Sequence, residues 1–379
     1  MKIEQSIWTK KKGWNPNIPG NLSKPPQLVL VFGSSNNINS KKLIKEINNA
    51  YPDSQILGCS TAGEIIDNMV VDDSLTVTAI YFENTDIKSV KTNIKHASES
   101  FKAGKSLAKS LNNNDLSHVL VLSEGLNIDG SELVKGLLSS LPANVTVTGG
   151  LSGDGDKFNK THLLWNNKVY NNCIAAIGLY SKNLKIGYAS LGGWDSFGPE
   201  RIITKSRGNV LYELDGKSAL ELYKKYLGEH AEGLPATGLL FPLSLRETEE
   251  DIGVVRTILS VDEKDQSMTF AGDVPEGSFA RLMKANFNRL IDGASGAAKT
   301  SLEAKGSDPT DLAILISCVG RKMVLKQRID EEVEAVRDIL GSEAVFTGFY
   351  SYGEISPFTP DAKCELHNQT MTITTLSEK

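Results

Sequence analysis

The chain has 379 residues, 40% of them hydrophobic and 23% charged, with a formal net charge of −5. These values exclude a disordered polymer, and no segment reaches the roughly 20 consecutive apolar residues that a bilayer crossing requires, so membrane insertion is not expected. Acids and bases are intermingled and the one basic run, Lys10 to Lys12, stands alone, which leaves nucleic-acid binding without an electrostatic basis.

From the N-terminus, Met1 to Thr9 carry no apolar export segment, and a cytoplasmic location is the expectation. Residues 10–26 contain Gly13, Pro16, Pro19, Gly20, Pro25 and Pro26, a composition that predicts an extended lead-in, with the folded module starting near Gln27. Leu28 to Phe32 then form a short apolar run like a buried parallel strand. Leu43, Ile44 and Ile47 recur at helical spacing, and a second strand from Gln55 to Leu57 runs into Gly58-Cys59-Ser60-Thr61-Ala62-Gly63-Glu64-Ile65.

The same unit returns near the C-terminus. A strand over 313–317, a helix from Ile329 to Leu340 and a strand from Ala344 to Thr347 lead into Gly348-Phe349-Tyr350-Ser351-Tyr352-Gly353-Glu354-Ile355, and a shift of about 290 positions superposes the two turns. A looser third copy lies between them: strand Val119 to Leu122, a helix near Ser131 to Leu141, strand Val145 to Val147, then Gly149-Gly150-Leu151-Ser152-Gly153-Asp154. Period-2 alternation from Leu75 to Tyr81, and again from His162 through Gly187, predicts antiparallel strands. A long amphipathic helix is expected over Phe279 to Leu302, with Ser278 as its N-cap. The fold class that results is α/β, with mixed sheets built from repeated strand-helix-strand units, antiparallel additions and two pseudo-related halves.

The turn segments around Gly58 to Glu64, Gly149 to Asp154, Ser317 to Arg321 and Gly353 to Ile355, with His367 to Thr370 near the end, resemble the FIST family in both its N- and C-terminal domains. The resemblance divides the chain into the arm 1–26, an N-terminal domain over 27–217 and a C-terminal domain over 218–379. It implies an intracellular sensory protein, not an enzyme, that binds a small, amino-acid-like ligand. Since these two domains leave no room for an output module, signalling would pass to a separate partner such as a histidine kinase. Some members are similar to haem proteins that sense nitric oxide, so haem is a possible cofactor and a haem-dependent sensor is the alternative. An enzyme using the strand-end loops is a second alternative.

The candidate ligand-binding residues are Cys59, Ser60, Gly63, Glu64, Gly150, Ser152, Asp154, Cys318, Arg321, Tyr352 and Glu354. Glycine lets backbone N–H groups approach a ligand, and a strand end sets an acid at a cleft mouth. Glu64 and Glu354 either hold an ammonium or guanidinium group together, or each satisfies backbone donors of its own turn. Arg321 either offers a fork to a carboxylate or haem propionate, or makes a structural salt bridge. His367 is either an axial haem ligand or a hydrogen-bonded histidine beside a strand. Cys59 and Cys318 have no histidine near them in sequence, and together with Cys173 and Cys364 they form no CxxC pair, so buried thiols are expected over nucleophiles. Gly104-Lys105-Ser106 lacks the first glycine of a phosphate-binding loop, and Asp154 with Asp156 fails as a calcium loop because Phe158 takes the next ligand position. The largest pocket is expected against a Gly-Glu turn and residues near 317–321, and ligand binding is expected to draw the two halves together.

Overall fold

The computed structural model describes residues 1–248, 253–306 and 308–378. The chain builds one unit three times. In the first, β1 (Lys2–Thr9) and β2 (Gly13–Asn15) precede β3 (Leu28–Gly33), α1 (Ser35–Ile38), α2 (Lys41–Ala50) and β4 (Gln55–Ser60). The hairpin β5 (Glu64–Ile66) and β6 (Met69–Val71) follows, and β7 (Ser74–Tyr81) closes the unit. The second runs β8 (Asp86–Asn93), α3 (Ser100–Leu111), β9 (Leu116–Ser123), α4 (Gly130–Leu138), β10 (Thr146–Leu151), the hairpin β11 (Leu163–Trp165) and β12 (Lys168–Tyr170), then β13 (Cys173–Tyr180).

The third opens with β14 (Leu184–Leu191) and is then interrupted by an inserted sheet. That insertion comprises β15 (Asp195–Arg207), β16 (Val210–Leu214), β17 (Lys217–Ser218), α5 (Ala219–Leu227), β18 (Leu243–Arg246), β19 (Val254–Arg256), β20 (Ile258–Asp262), β21 (Ser267–Phe270) and β22 (Phe279–Lys284). The unit resumes with α6 (Phe287–Lys305), β23 (Leu312–Cys318), α7 (Val319–Leu325), α8 (Ile329–Leu340) and β24 (Val345–Ser351). It ends with the hairpin β25 (Gly353–Pro357) and β26 (Cys364–His367) and with β27 (Met371–Glu378).

Each unit lays a parallel pair at the centre of its own sheet, β3 with β4, β9 with β10 and β23 with β24, and brings its closing strand back antiparallel beside the first of the pair. The hairpins are exchanged in a cycle. β5 of the first unit pairs with β24 of the third, β25 of the third pairs with β10 of the second, and β11 of the second pairs with β4 of the first. The sheets are therefore interlocked, and the chain's two ends share one core.

The continuous apolar runs follow from this arrangement, because both faces of each parallel pair are covered. Leu28, Leu30 and Phe32 of β3 join Leu120 and Leu122 of β9 and Leu312, Ile314 and Ile316 of β23 in one inner cluster. The alternate residues face outward. Val29 and Val31 pack with Ile44 and Ile47 of α2, while Val119, Val121, Ala313 and Leu315 join the cluster formed with α3, α4, α6 and α8. Each fully buried branched side chain contributes about 1.5–3 kcal/mol, so displacing one sheet would forfeit many such terms at once.

Two expectations are corrected. The residues before Gln27 do not all form a free arm: β1 pairs with β7 along eight residues, from Lys2 opposite Tyr81 to Thr9 opposite Ser74, and Gln5 Nε2 donates to Phe346 O at 2.8 Å. The prolines that discourage regular structure begin at Pro16, beyond β1, which lies between β7 and the short edge strand β2. The helix expected over Phe279 to Leu302 is broken in two. Phe279–Lys284 is strand β22, paired with β15 and β18, and the helix begins at Phe287 with Asn286 as its N-cap, accepting from Arg289 N. Ala280, Leu282 and Met283 satisfy the packing of a strand as well as that of a helix, and tertiary pairing decided between them. No helix among the described residues is long and apolar enough to cross a membrane.

Candidate functional site

The three strand-end turns meet around one axis. Gly58, Gly149 and Gly348 sit opposite Val31, Val121 and Leu315 of the neighbouring parallel strands, and a Cβ at any of the three would run into that residue's backbone carbonyl. Glycine is therefore required by close backbone approach. Beyond the glycines the turns bond to one another in a ring: Ala62 N to Tyr350 O at 2.8 Å, Gly153 N to Ser60 O at 2.9 Å, and Tyr352 N to Leu151 O at 3.2 Å. Ser60, Ser152 and Tyr352 thus come together with the Gly-Glu turns. Ser60 Oγ also accepts from His162 N, and Ser152 Oγ donates to Ser123 O.

The two acids close their own turns. Glu64 accepts from Thr61 Oγ1, three residues before it, and from Ser74 N at 3.0 Å and Ser74 Oγ at 2.6 Å. Glu354 repeats the pattern, accepting from Ser351 Oγ at 2.5 Å and from Thr370 N and Oγ1 at 3.2 and 3.0 Å. Burial outweighs these donors and pushes Glu64 up to about 7 and Glu354 up to about 8. The carboxyls share no partner, so their geometry is that of turn latches. Gly63, at φ 137°, lies where a Cβ would collide with Lys322, whose Nζ donates to Ala62 O at 2.8 Å and pairs with Asp72. Gly150 packs its bare Cα against Ile316 and Phe349.

Arg321 is fully buried on α7. Its Nε and Nη2 donate to Glu332 at 3.0 and 2.7 Å, Nη1 to Gly192 O at 2.6 Å, and Nη2 also to Leu290 O at 2.7 Å. The fork is consumed inside the protein, which corrects its expected role toward a ligand carboxylate or haem propionate. Glu332, which also accepts from Ser317 Oγ and Tyr350 Oη, was not singled out from the sequence. Its signal was present: Ile329, Glu332, Val333, Val336 and Leu340 are the buried stripe of α8, an acid at an apolar position. Burial raises the thiols of Cys59 and Cys318 well above their ordinary range, and both are enclosed.

His367 does not fit a haem. Its ring is buried against Phe358, Nε2 bonds to Ser356 O at 2.7 Å, and burial lowers its pKa to about 4. Only Nδ1 is left, and neither this ring nor any other described histidine or cysteine lines the cavity beside the ring of turns. Among the described residues, no group of three or more His, Cys, Asp or Glu side chains is placed to hold a metal ion.

A cavity of about 520 Å³ lies beside the ring of turns. One wall is made by Gly125, Leu126, Ile128 and Asp129 before α4, with Leu151 at the end of β10 and Asp156 and Phe158 after it; the other is made by the insertion, chiefly Leu234, Ala236 and Leu239 between α5 and β18 with Leu259 and Phe270 of its sheet. Tyr352 and Met323 close the base. Tyr352 follows Ser351 in the second Gly-Glu turn and Met323 lies two residues past Arg321, so the cavity abuts the expected segments without touching Glu64, Glu354 or Arg321. Tyr352 ties the base to the loop: its hydroxyl bonds the Asp154 carboxylate and accepts from Phe158 N at 3.3 Å, and its ring stacks on Phe158 at 4.4 Å. Asp154 in turn accepts from Asn159 N and Lys160 N. Of the candidate residues, Tyr352 lines the cavity and Asp154 orders its wall. Asp129, Asp156, Asn209 and Phe158 were not named as ligand contacts from the sequence, because the first two and Phe158 sit in loops that only the fold brings to the insertion, and Asn209 sits in a turn bonded to Phe270.

The fold is an interlocked α/β scaffold of mixed sheets with a mainly apolar cavity edged by a few polar groups. The chain belongs to the FIST family: the FIST N domain matches residues 27–217 and the FIST C domain residues 219–357. FIST domains are associated with the sensing of small ligands in signal transduction. An uncharacterized protein of Methanocaldococcus jannaschii is 26% identical over 244 residues, covering 60% of this chain. That match spans 44% of the archaeal protein, less than half its length. Among solved structures, cyanuric acid hydrolase from A. caulinodans aligns over 100% of this chain and 98% of its own, at 7% identity and a TM-score of 0.39, an overlap too loose to bear on activity.

Proposed function

We propose that this chain is an intracellular sensory module that binds a small, amino-acid-like ligand in the cavity beside the ring of turns and passes the event to a separate partner such as a histidine kinase. The observation that carries the reading is the cavity itself, walled on one side by loops of the second unit and on the other by the inserted sheet. Its apolar lining suits a hydrophobic side chain, and Asp156, Asp129 and Asn209 supply acceptors for an amine head. Binding is favoured over catalysis because the thiols and the Gly-Glu carboxyls are enclosed in their own hydrogen-bonded turns, away from the cavity. Haem sensing is not favoured, for the reasons given by His367 and by the consumed fork of Arg321.

Isothermal titration of the full chain with a panel of amino acids and their amines tests the reading. At least one compound is expected to bind with micromolar affinity, equivalent to about −8 kcal/mol. Ala236→Trp, which fills the cavity from the wall made by the insertion, is expected to abolish that binding while the melting transition stays intact. Undiminished binding by that variant would move the site elsewhere.

A further inference from the structure

Resting on that reading, we propose that the cavity selects an organic amine without a carboxylate, an arylalkylamine or related cation, over a zwitterionic amino acid. The residues that wall the cavity include Asp129 and Asp156, and no lysine, arginine or histidine. A cationic head finds two acceptors there. A carboxylate finds none of the opposite charge. The guanidinium of Arg256 lies buried behind Gly272, its N–H groups held by the carbonyls of Leu366 and Asp273 and its charge balanced by Glu365, Asp273 and Asp129, which leaves Asp156 as the acid free for a cationic head. Lys135 of α4 pairs with Glu132 and Asp273.

The start of α4 at Gly130 attracts an anion, and the chain fills it internally. Asp129 caps the helix, accepting from Glu132 N at 2.9 Å, and its own charge opposes a ligand carboxylate at that spot. Asp156 differs: it is exposed at the cavity edge and its carboxylate has no hydrogen-bond or ion-pair partner among the described residues. Beside it the Phe158 ring, stacked on Tyr352 and 37% exposed, offers a π face to a cation or to an aryl body. An acidic edge, an aromatic wall and an apolar interior from Leu259 to Phe270 match a head and tail of one molecule.

The test uses three probes that share a phenyl body and differ in head charge: 2-phenylethylamine, phenylalanine and 3-phenylpropionate, titrated calorimetrically into the full chain. The amine is expected to bind at least tenfold tighter than phenylalanine, and phenylpropionate weakest of the three. Asp156→Asn, an exposed substitution that leaves the core alone, is expected to weaken the amine about tenfold and to narrow its lead. Phenylalanine binding as tightly as the amine, or an amine affinity unchanged in Asp156→Asn, would overturn the inference while leaving the cavity a ligand site. Silence of all three probes overturns it as well, and the underlying reading then stands or falls on the wider amino-acid panel.

Discussion

At the scale of single residues, the acids that stood out in the sequence prove to be internal. Glu64 and Glu354 have folded pKa values of about 7 and 8, raised from 4.5 by burial, so the fold binds protons that the unfolded chain has released. Their contribution to stability is complete below about pH 4.5 and is lost as pH rises through 7 to 8. Denaturant melts from pH 5 to 8.5 are expected to show that decline, and Glu64→Gln with Glu354→Gln should flatten it; an unchanged slope in the double variant would contradict the assignment. Arg321 is a second case. Its removal leaves Glu332 charged in the core, and Arg321→Met is expected to cost about 3–5 kcal/mol in a urea melt. Adding Glu332→Leu should recover a large part of that loss, since the penalty comes from the unpaired charge. A ligand-binding arginine would behave otherwise, affecting affinity while leaving stability alone. The residues that do face the cavity, Asp156 and Phe158, gave no motif, because a lone acid and a lone aromatic in a loop have no sequence period.

Among the elements, β1 shows how local composition misled. Pro16, Pro19 and Gly20 describe the linker correctly, but the eight residues ahead of them complete the sheet by pairing with β7, and Trp8 and Trp14 pack against the cluster under α2. Deleting residues 1–15 is expected to leave β7 an open edge. Hydrogen exchange should accelerate along Leu75 to Ile80, and the melting temperature should fall by several degrees. Unaltered exchange in β7 would return those residues to the status of an arm. The 279–302 segment carries a related lesson. Its apolar spacing serves a helix throughout, yet β15 and β18 claim its first six residues as a ladder partner, and Asn286 restarts the chain as a helix. The repeated strand-helix-strand units were readable because both faces of each parallel pair are buried, which writes an unbroken apolar run into the sequence.

On the scale of the whole molecule, the cyclic exchange of β5, β11 and β25 makes the three units mutually dependent, whereas the inserted sheet meets them around the cavity and through bonds such as Arg256 to Leu366 O and Gln369 to Leu239 O. A ligand that touches both Phe158 and Leu259 favours the arrangement in which those walls are closest. Small-angle scattering with and without a saturating ligand from the calorimetric panel is therefore expected to show a contraction from a radius of gyration of about 21 Å, the value for a compact chain of this length. Ala236→Trp at the same ligand concentration, with its cavity filled, should scatter like the free protein. Identical curves for free and bound wild type would make the cavity a preformed hole and remove closure as the signal.

By itself the sequence determined the units, their apolar strands and the glycines of the turns, because those features depend on contacts within about 40 residues and on the steric demand of a backbone pressed against its neighbour. It also marked Glu64 and Glu354 as equivalent, through the match of their flanking residues. Only the tertiary structure decided that the turns form a ring of three, that Arg321 is neutralised by Glu332, and that the cavity opens toward the inserted sheet. Those outcomes rest on long-range meetings, Ala62 with Tyr350 in the ring of turns or Leu126 and Leu259 lining one cavity, whose members lie far apart along the chain and leave no periodic trace in it.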